Sequence, residues 1–258
     1  MSTTVAHSWF MTLRHLRNLA RQPWWIAITL VQPVIWLLLF GAVFKATADI
    51  PGFAADSYID YLTPGIVVMT AAFAGGWAGM GVIEDLNRGV IDRFLVSPVA
   101  RQALISGRLT QLGIVSLIQS LIVITLGLLA GAHFPGGATG LAVLVVASAL
   151  LGASLGALSN GMALLARKEE TVIAASNFIL LPLTFLSSAF MQRNLVPGWI
   201  QSVARYNPVE WTVQAGREAL TATPDWSLVL SRLGLLVALT VACTWLATRA
   251  FHTYQRAV

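Results

Sequence analysis

An all-α polytopic membrane protein with six transmembrane helices is the expected fold, for three reasons. Hydrophobic residues make up 57% of the 258 positions and charged residues only 10%, against about 45–50% and about 25% in soluble domains. So few charges cannot make a water-facing surface, which leaves the bilayer as the main solvent and excludes disorder. Six apolar runs each have the length that a hydrocarbon core of ~30 Å demands of a helix rising ~1.5 Å per residue. Finally, Arg232 is the one Lys, Arg, Asp or Glu inside those runs, and a central charge costs about 2.5–3.5 kcal/mol on insertion scales.

The elements follow in chain order. Val5–Gln22 carries Trp9, Phe10, Leu13, Leu16 and Leu19 at helical spacing, with Arg14, Arg17 and Arg21 away from most of them. This pattern is that of an amphipathic helix in the membrane interface, ended by Pro23. The expected spans are Trp24–Phe44, Tyr61–Ile83, Leu112–Ala132, Leu141–Leu165, Val172–Phe190 and Leu228–Thr248. The first is too long for the h-region of a signal peptide and is expected to be retained. Pro33 and Pro182 fall mid-span and should kink the first and fifth. Ala71, Gly75 and Gly79 in the second span, and Ser148, Gly152, Gly156 and Asn160 in the fourth, recur every four residues and allow close helix approach.

Basic residues set the orientation. Arg14, Arg17, Arg21, Arg88, Arg93, Arg101, Arg108, Arg167, Lys168, Arg249 and Arg256 fall on one side, against Lys45, Arg193, Arg205 and Arg217 on the other. The positive-inside rule places both termini in the cytoplasm of a multi-pass protein of the cell inner (plasma) membrane. Topology therefore accounts for the net charge of +5, and no nucleic-acid partner is expected.

Two segments outside the spans have structure of their own. In 84–97, Glu84, Arg88 and Asp92 fall at i, i+4 and i+8, and so do Leu86, Val90 and Phe94. That spacing gives a short amphipathic helix stopped by Pro98, with an apolar stripe suited to docking on another protein. Gly89 lacks a Cβ and permits close backbone approach there. The stretch 191–227 is too apolar for a free loop. Asn207, Pro208 and Glu210 supply an N-cap, a first-turn proline and a capping-box carboxylate. The helix that follows would align Val209, Val213, Gly216 and Leu220, and with 198–206 it forms a re-entrant-like pair shielded by protein.

Catalytic groups are scarce. The lysines, Lys45 and Lys168, follow Phe44 and Arg167, so no Walker A loop exists and the chain has no nucleotide-binding site of its own. His7, His15, His133 and His252 are scattered without a metal-ligand partner, and the single cysteine, Cys243, makes neither an intrachain disulfide nor a cluster. No catalytic residue, cofactor or metal is expected. A membrane enzyme acting on a lipid lacks its paired carboxylates or His–Ser cluster. An ion-coupled secondary transporter lacks intramembrane carboxylates and inverted repeats.

Glu84, Gly89, Arg93, Leu95, Ser97, Pro98 and Arg101, then Gly107, Arg108 and Leu109, resemble the pattern of type-2 ABC exporter permeases. Two further matches are Tyr61, Leu62, Thr63, Pro64 and Gly65 opening the second span, and Asn207 and Pro208 followed by Arg217 before the last. The third motif departs at Thr221, where the family often has glycine. The resemblance implies a half-channel. It pairs with a second permease copy or paralogue, sits among membrane lipids, and rests on two copies of a separate ABC ATPase that carries the ATP and Mg. It makes 84–97 the coupling helix (Glu84, Leu86, Arg88, Gly89, Val90, Asp92, Arg93, Phe94, Pro98) and gives the interface helix (Trp9, Phe10, Leu13, Arg14, Leu16, Arg17) a share in transmission. The cargo it implies is a lipophilic small molecule of the drug-exporter kind, a lipid or a lipid-linked glycan, moved outward.

Overall fold

A computed structural model describes residues 23–50, 53, 55, 57–89 and 101–256. The interface helix expected over 5–22 lies outside the described residues. The architecture is helical, with no strand among the described residues. In order, α1 is Pro23–Val43, α2 Tyr58–Gly76, α3 Gly79–Asn87, α4 Arg101–Leu129, α5 Gly137–Ala166, α6 Glu169–Phe185, α7 Gly198–Ala204, α8 Pro208–Ala219 and α9 Trp226–Arg256. Short 3-10 turns occupy Lys45–Asp49 and Arg193–Leu195. Tyr58–Asn87, Gly137–Ala166 and Trp226–Phe251 are long and apolar enough to cross a membrane. Leu30–Val43 and Gly113–Leu129 are shorter apolar helical stretches.

The centre of the bundle is α2 packed on α5. Tyr61 to Ala72 are buried without interruption, so α2 is enclosed on all sides. Around this pair sit α4, α8 and α9, each packed against α5. The expected small-residue seam is what lets the two backbones meet. A Cβ on Gly75 would strike the Gly152 carbonyl, one on Gly79 the Ser159 carbonyl at 2.5 Å, and one on Gly152 would lie 3.1 Å from the Ala71 carbonyl. Apolar solvent gives helices no hydrophobic reason to associate, so dispersion at such seams supplies the attraction. The opposite edge of α5 meets α9 through Ala157, Cys243 and Ala247, and Ser154 and Thr240 share a 2.8 Å hydroxyl contact. Outward-facing Val31, Leu38, Phe178, Val241 and Trp245 are exposed, a surface suited to acyl chains rather than water.

Four expected elements differ from the observed ones. The span Tyr61–Ile83 is two helices, because the chain turns at Trp77 and Ala78. Glycines at 75, 76 and 79 are weak helix formers, and hydroxyls from other helices take the backbone groups freed at the turn. The span Val172–Phe190 is helical only to Phe185, three residues past Pro182. The helix expected over 84–97 does not begin there: Glu84 to Asn87 are the end of α3, and Gly89 at φ +63° stops it. A glycine in the left-handed region is an ordinary helix terminator. Val90, Asp92, Arg93, Phe94 and Pro98 lie outside the described residues. The fourth helix is longer than its apolar run, starting at Arg101 rather than Leu112.

The seam makes a direct prediction. Gly75→Val should eliminate the folded, monodisperse protein, since the added carbons meet backbone that cannot retreat. Gly113→Ala, where a Cβ meets nothing within 4 Å, should be tolerated. Thermal melting in detergent and size-exclusion profiles of the two variants check this.

Candidate functional site

Two regions at opposite ends of the bundle carry the chemistry. The first surrounds the non-helical residues 186–190 that follow α6. Once α6 stops, its last carbonyls and those beyond need partners, because a backbone group left bare in an apolar setting costs several kcal/mol. Side chains of α2 and α8 provide them. Asn207 is the N-cap of α8, its Oδ1 accepting from Val209 N at 2.9 Å. Its Nδ2 donates to Leu183 O at 2.6 Å and Leu186 O at 3.1 Å. One asparagine thus starts α8 and closes α6. The Arg217 guanidinium donates to Ser188 O at 2.7 Å, Tyr61 O at 2.9 Å and Ala189 O at 3.0 Å. It also lies over the Tyr61 ring, 3.5 Å from its centroid, an electrostatically favourable place for a cation. Tyr61 donates its hydroxyl to Ser188 O at 2.6 Å, and Tyr58 donates to Phe190 O at 3.1 Å.

Glu210 completes the clasp and corrects an expectation. The capping-box role would turn its carboxylate back to the start of α8. Instead Oε2 accepts from Ser188 N at 2.6 Å, and Oε1 accepts from Gln214 at 2.7 Å. The side chain is only 1% exposed. Ser188 therefore has a carboxylate on its N–H and a guanidinium on its C=O, and a buried anion and cation compensate across one residue. Val209, Val213, Gly216 and Leu220, the expected face of α8, are all buried. Gly136 and Gly140 let the α8 end rest on α5, since a Cβ on either would strike the Ala219 carbonyl. Sequence reasoning found Asn207 and Pro208 but missed Tyr58, Tyr61, Glu210 and Arg217 as one unit. Their separation in the chain hides them, and two buried opposite charges near an expected helix pair were the available signal.

The second region is the α3 end. Glu84 and Arg88 pair at 2.6 Å, with side chains 56% and 65% exposed. An exposed i, i+4 pair of this kind contributes about 0.3–0.5 kcal/mol. Leu86 does not stand on a free stripe. It packs against a buried group formed by Val82, Ile83, Ala163, Leu164, Val172 and Phe251, which joins α3, the end of α5, the start of α6 and α9. Arg167, the sole non-glycine with positive φ among the described residues at 53°, turns the chain sharply from α5 into α6. Glu169 and Glu170 sit in the first turn of α6, where the helix dipole favours negative charge. Glu84 and Arg88 are therefore presented outward, and Leu86 is turned inward. Among the described residues no three His, Cys, Asp or Glu side chains gather as metal ligands.

Comparison with known proteins decides the family. The ABC-2 type transporter model matches residues 7–221. This chain belongs to the ABC-2 type transporter family. It is similar to the daunorubicin resistance ABC transporter permease protein DrrB1 of Streptomyces coeruleorubidus, 28% identical over 244 residues that cover 92% of this chain and 83% of the relative. A putative transport permease, ycf38 of Cyanophora paradoxa, is 29% identical over 76% of this chain and 68% of its own. The inner membrane transport permease YadH of Escherichia coli is 28% identical over 83% of each chain. As an ABC-2 permease the chain is an integral membrane transport component, and its family works with ATPase subunits. Among the described residues its polar groups support helix position, at one end through the clasp and at the other through the α3 cluster.

The clasp is testable as a unit. Arg217→Met should cost about 3 kcal/mol, because three carbonyls lose a charged donor, Ser188 O keeping the Tyr61 hydroxyl, and Glu210 loses its compensating charge. Glu210→Gln should cost less. The double variant should fall short of the sum by about 1 kcal/mol or more, as expected for groups that share a partner. A double-mutant cycle on denaturation in mixed micelles measures it. Strict additivity would show that Ser188 does not couple the two charges.

Proposed function

We propose that this chain is the transport subunit of an ATP-driven exporter that moves a lipophilic small molecule outward across the cell inner membrane. It spans the bilayer six times with both termini cytoplasmic, pairs with a second permease, and is powered by two separate ATPase subunits that hold ATP and Mg. The observation that carries this reading is the family match over residues 7–221 in a chain with no nucleotide-binding loop. Energy must then arrive from a partner, and the α3 end with the segment following it is where the partner would bear. The relative named for daunorubicin resistance favours a lipophilic drug as cargo, and the few charges of the spans agree. In this orientation the clasp faces outward and acts as the outer closure of the path.

The split at the α3 end refines the docking surface. Glu84, Arg88 and Gly89, with Val90, Asp92, Arg93, Phe94 and Pro98 beyond them, form the ATPase contact, and Trp9, Phe10, Leu13, Arg14, Leu16 and Arg17 support it from the interface helix. Leu86 belongs to the interior. Phe94→Ala should thus weaken ATPase co-purification and ATP-driven transport while leaving the melting temperature unchanged. Leu86→Ala should do the reverse first, lowering stability by about 1–2 kcal/mol through a partial cavity. The purified chain alone should hydrolyse no ATP, and ATPase activity should be present only with a Walker-containing subunit. Proteoliposomes assayed for export of an anthracycline, a phospholipid and a lipid-linked glycan distinguish the cargo classes. Hydrolysis by the chain itself, free of contaminants, would overturn the proposal.

Sidedness has its own check. In a Cys243→Ala background, single cysteines at Ala138 and Trp199 should react with an impermeant thiol reagent in intact cells, and cysteines at Arg88 and Lys168 only after lysis. Ala138 is exposed, whereas the nearby Gly136 has no space for a side chain.

A further inference from the structure

The turn that divides α2 from α3 has an unusual hydrogen-bond arrangement. Gly76 O accepts from two serine hydroxyls, Ser159 of α5 at 2.5 Å and Ser176 of α6 at 2.7 Å. Gly79 N donates to that same Ser159 hydroxyl at 3.0 Å. The neighbouring amides take shortened bonds: Ala78 N to Gly75 O at 3.0 Å, Met80 N to Trp77 O at 3.1 Å and Gly81 N to Ala78 O at 3.3 Å. In an unbroken helix Gly79 N would instead reach Gly75 O, Met80 N would reach Gly76 O and Gly81 N would reach Trp77 O. Every backbone group freed by straightening thus has a waiting partner four residues away.

The serines have one too. A helical serine or threonine can return its hydroxyl to the carbonyl four residues earlier. Thr63, Thr70, Ser154, Thr184, Thr240 and Thr248 all do so in this structure. Ser159 and Ser176 could satisfy themselves on Leu155 O and Val172 O in the same way. Broken and continuous forms therefore each satisfy their hydrogen bonds, which is what a two-state element buried in an apolar medium needs. The side chains around the turn also permit motion. Gly75, Gly76, Ala78, Gly79 and Gly81 are small, and the large Trp77 is 45% exposed rather than wedged between helices.

We propose that residues 76–79 are a hydrogen-bond-exchange switch: α2 and α3 interconvert between a broken form held by Ser159 and Ser176 and a continuous helix. This rests on the exporter reading, and it deepens that reading by naming where a push on the α3 end becomes a change in the span. The α3 end carries the docking residues Glu84 and Arg88, and the start of α2 carries Tyr58 and Tyr61 of the clasp. The switch lies between them on one continuous path of chain.

The test measures the switch in the complete permease–ATPase complex. Spin labels at Asn87 and Val146, both exposed, report the distance from the α3 end to α5, with labelled permease diluted in unlabelled copies and Cys243 replaced by alanine. The rise per residue differs by ~0.5 Å between the two helix types, so exchange over the turn should shift the mean distance by about 2 Å or more between nucleotide-free and ADP–vanadate-trapped complexes. Ser159→Ala with Ser176→Ala should give the shifted distance without nucleotide and uncouple ATP hydrolysis from export, the ATPase remaining bound. Should that variant fail to fold, the wild-type distances decide alone. One distance in every nucleotide state of a complex that transports would overturn the switch and leave the exporter standing. A complex that binds no ATPase or shows no ATP-driven transport would overturn both.

Discussion

An irregular stretch of backbone inside an apolar medium can exist only if something else in the protein satisfies it, and that constraint organises one end of this molecule. Residues 186–190 leave α6 with bare carbonyls, and Asn207, Arg217, Tyr61 and Tyr58 take them up. Glu210 holds the Ser188 amide. Because α8 brings Asn207, Glu210 and Arg217 while α2 brings both tyrosines, the three elements cannot separate without exposing several polar groups at once. The short helix α8 is thereby fixed to the bundle although it could not be stable alone.

Small residues impose the complementary constraint. Polar clasps need their donors within ~3 Å, and that is possible only if α2 and α5 approach at backbone distance. Gly75, Gly79 and Gly152 permit it on the long seam, and Gly136 and Gly140 permit it where α8 rests on α5. Close packing and polar satisfaction are therefore not independent in this fold. A larger side chain at the seam would separate α2 from α5 and strain the hydrogen bonds at both ends of α2.

Much of this was legible in the residues. Apolar run length located helices whose ends mostly differ by a few residues, while α4 extends back over the basic residues Arg101 and Arg108 and α9 runs on to Arg256. The four-residue spacing of Gly and Ser marked the seam, and Asn207 with Pro208 marked the start of α8. The break at Trp77 and Ala78 was not legible, because no proline stands there and the hydroxyls that hold it come from 83 and 100 residues away. Leu86 shows a different limit. Its i, i+4 spacing to Val90 describes a stripe only if the helix continues, and Gly89 ends it. That glycine is a stop signal visible in the sequence, and it outranks the periodicity around it. Glu210 satisfies the capping-box spacing equally well, but tertiary contact with Ser188 competes successfully for its carboxylate.

The clasp also bears on how the chain is made. Tyr58 and Tyr61 emerge from the ribosome long before Glu210 and Arg217, and α6 with its uncapped end is complete before Asn207 exists. Until α8 arrives, the carbonyls of Leu183, Leu186 and Ala189 lack the Asn207 and Arg217 donors and must be held near water or by the insertion machinery. Assembly of the bundle therefore commits only when a twelve-residue helix, made well after α2 and α6, has arrived. A chain stopped before Asn207 would have most of its apolar helices in the membrane and yet remain recognisable to quality-control proteases by a single bare stretch of backbone.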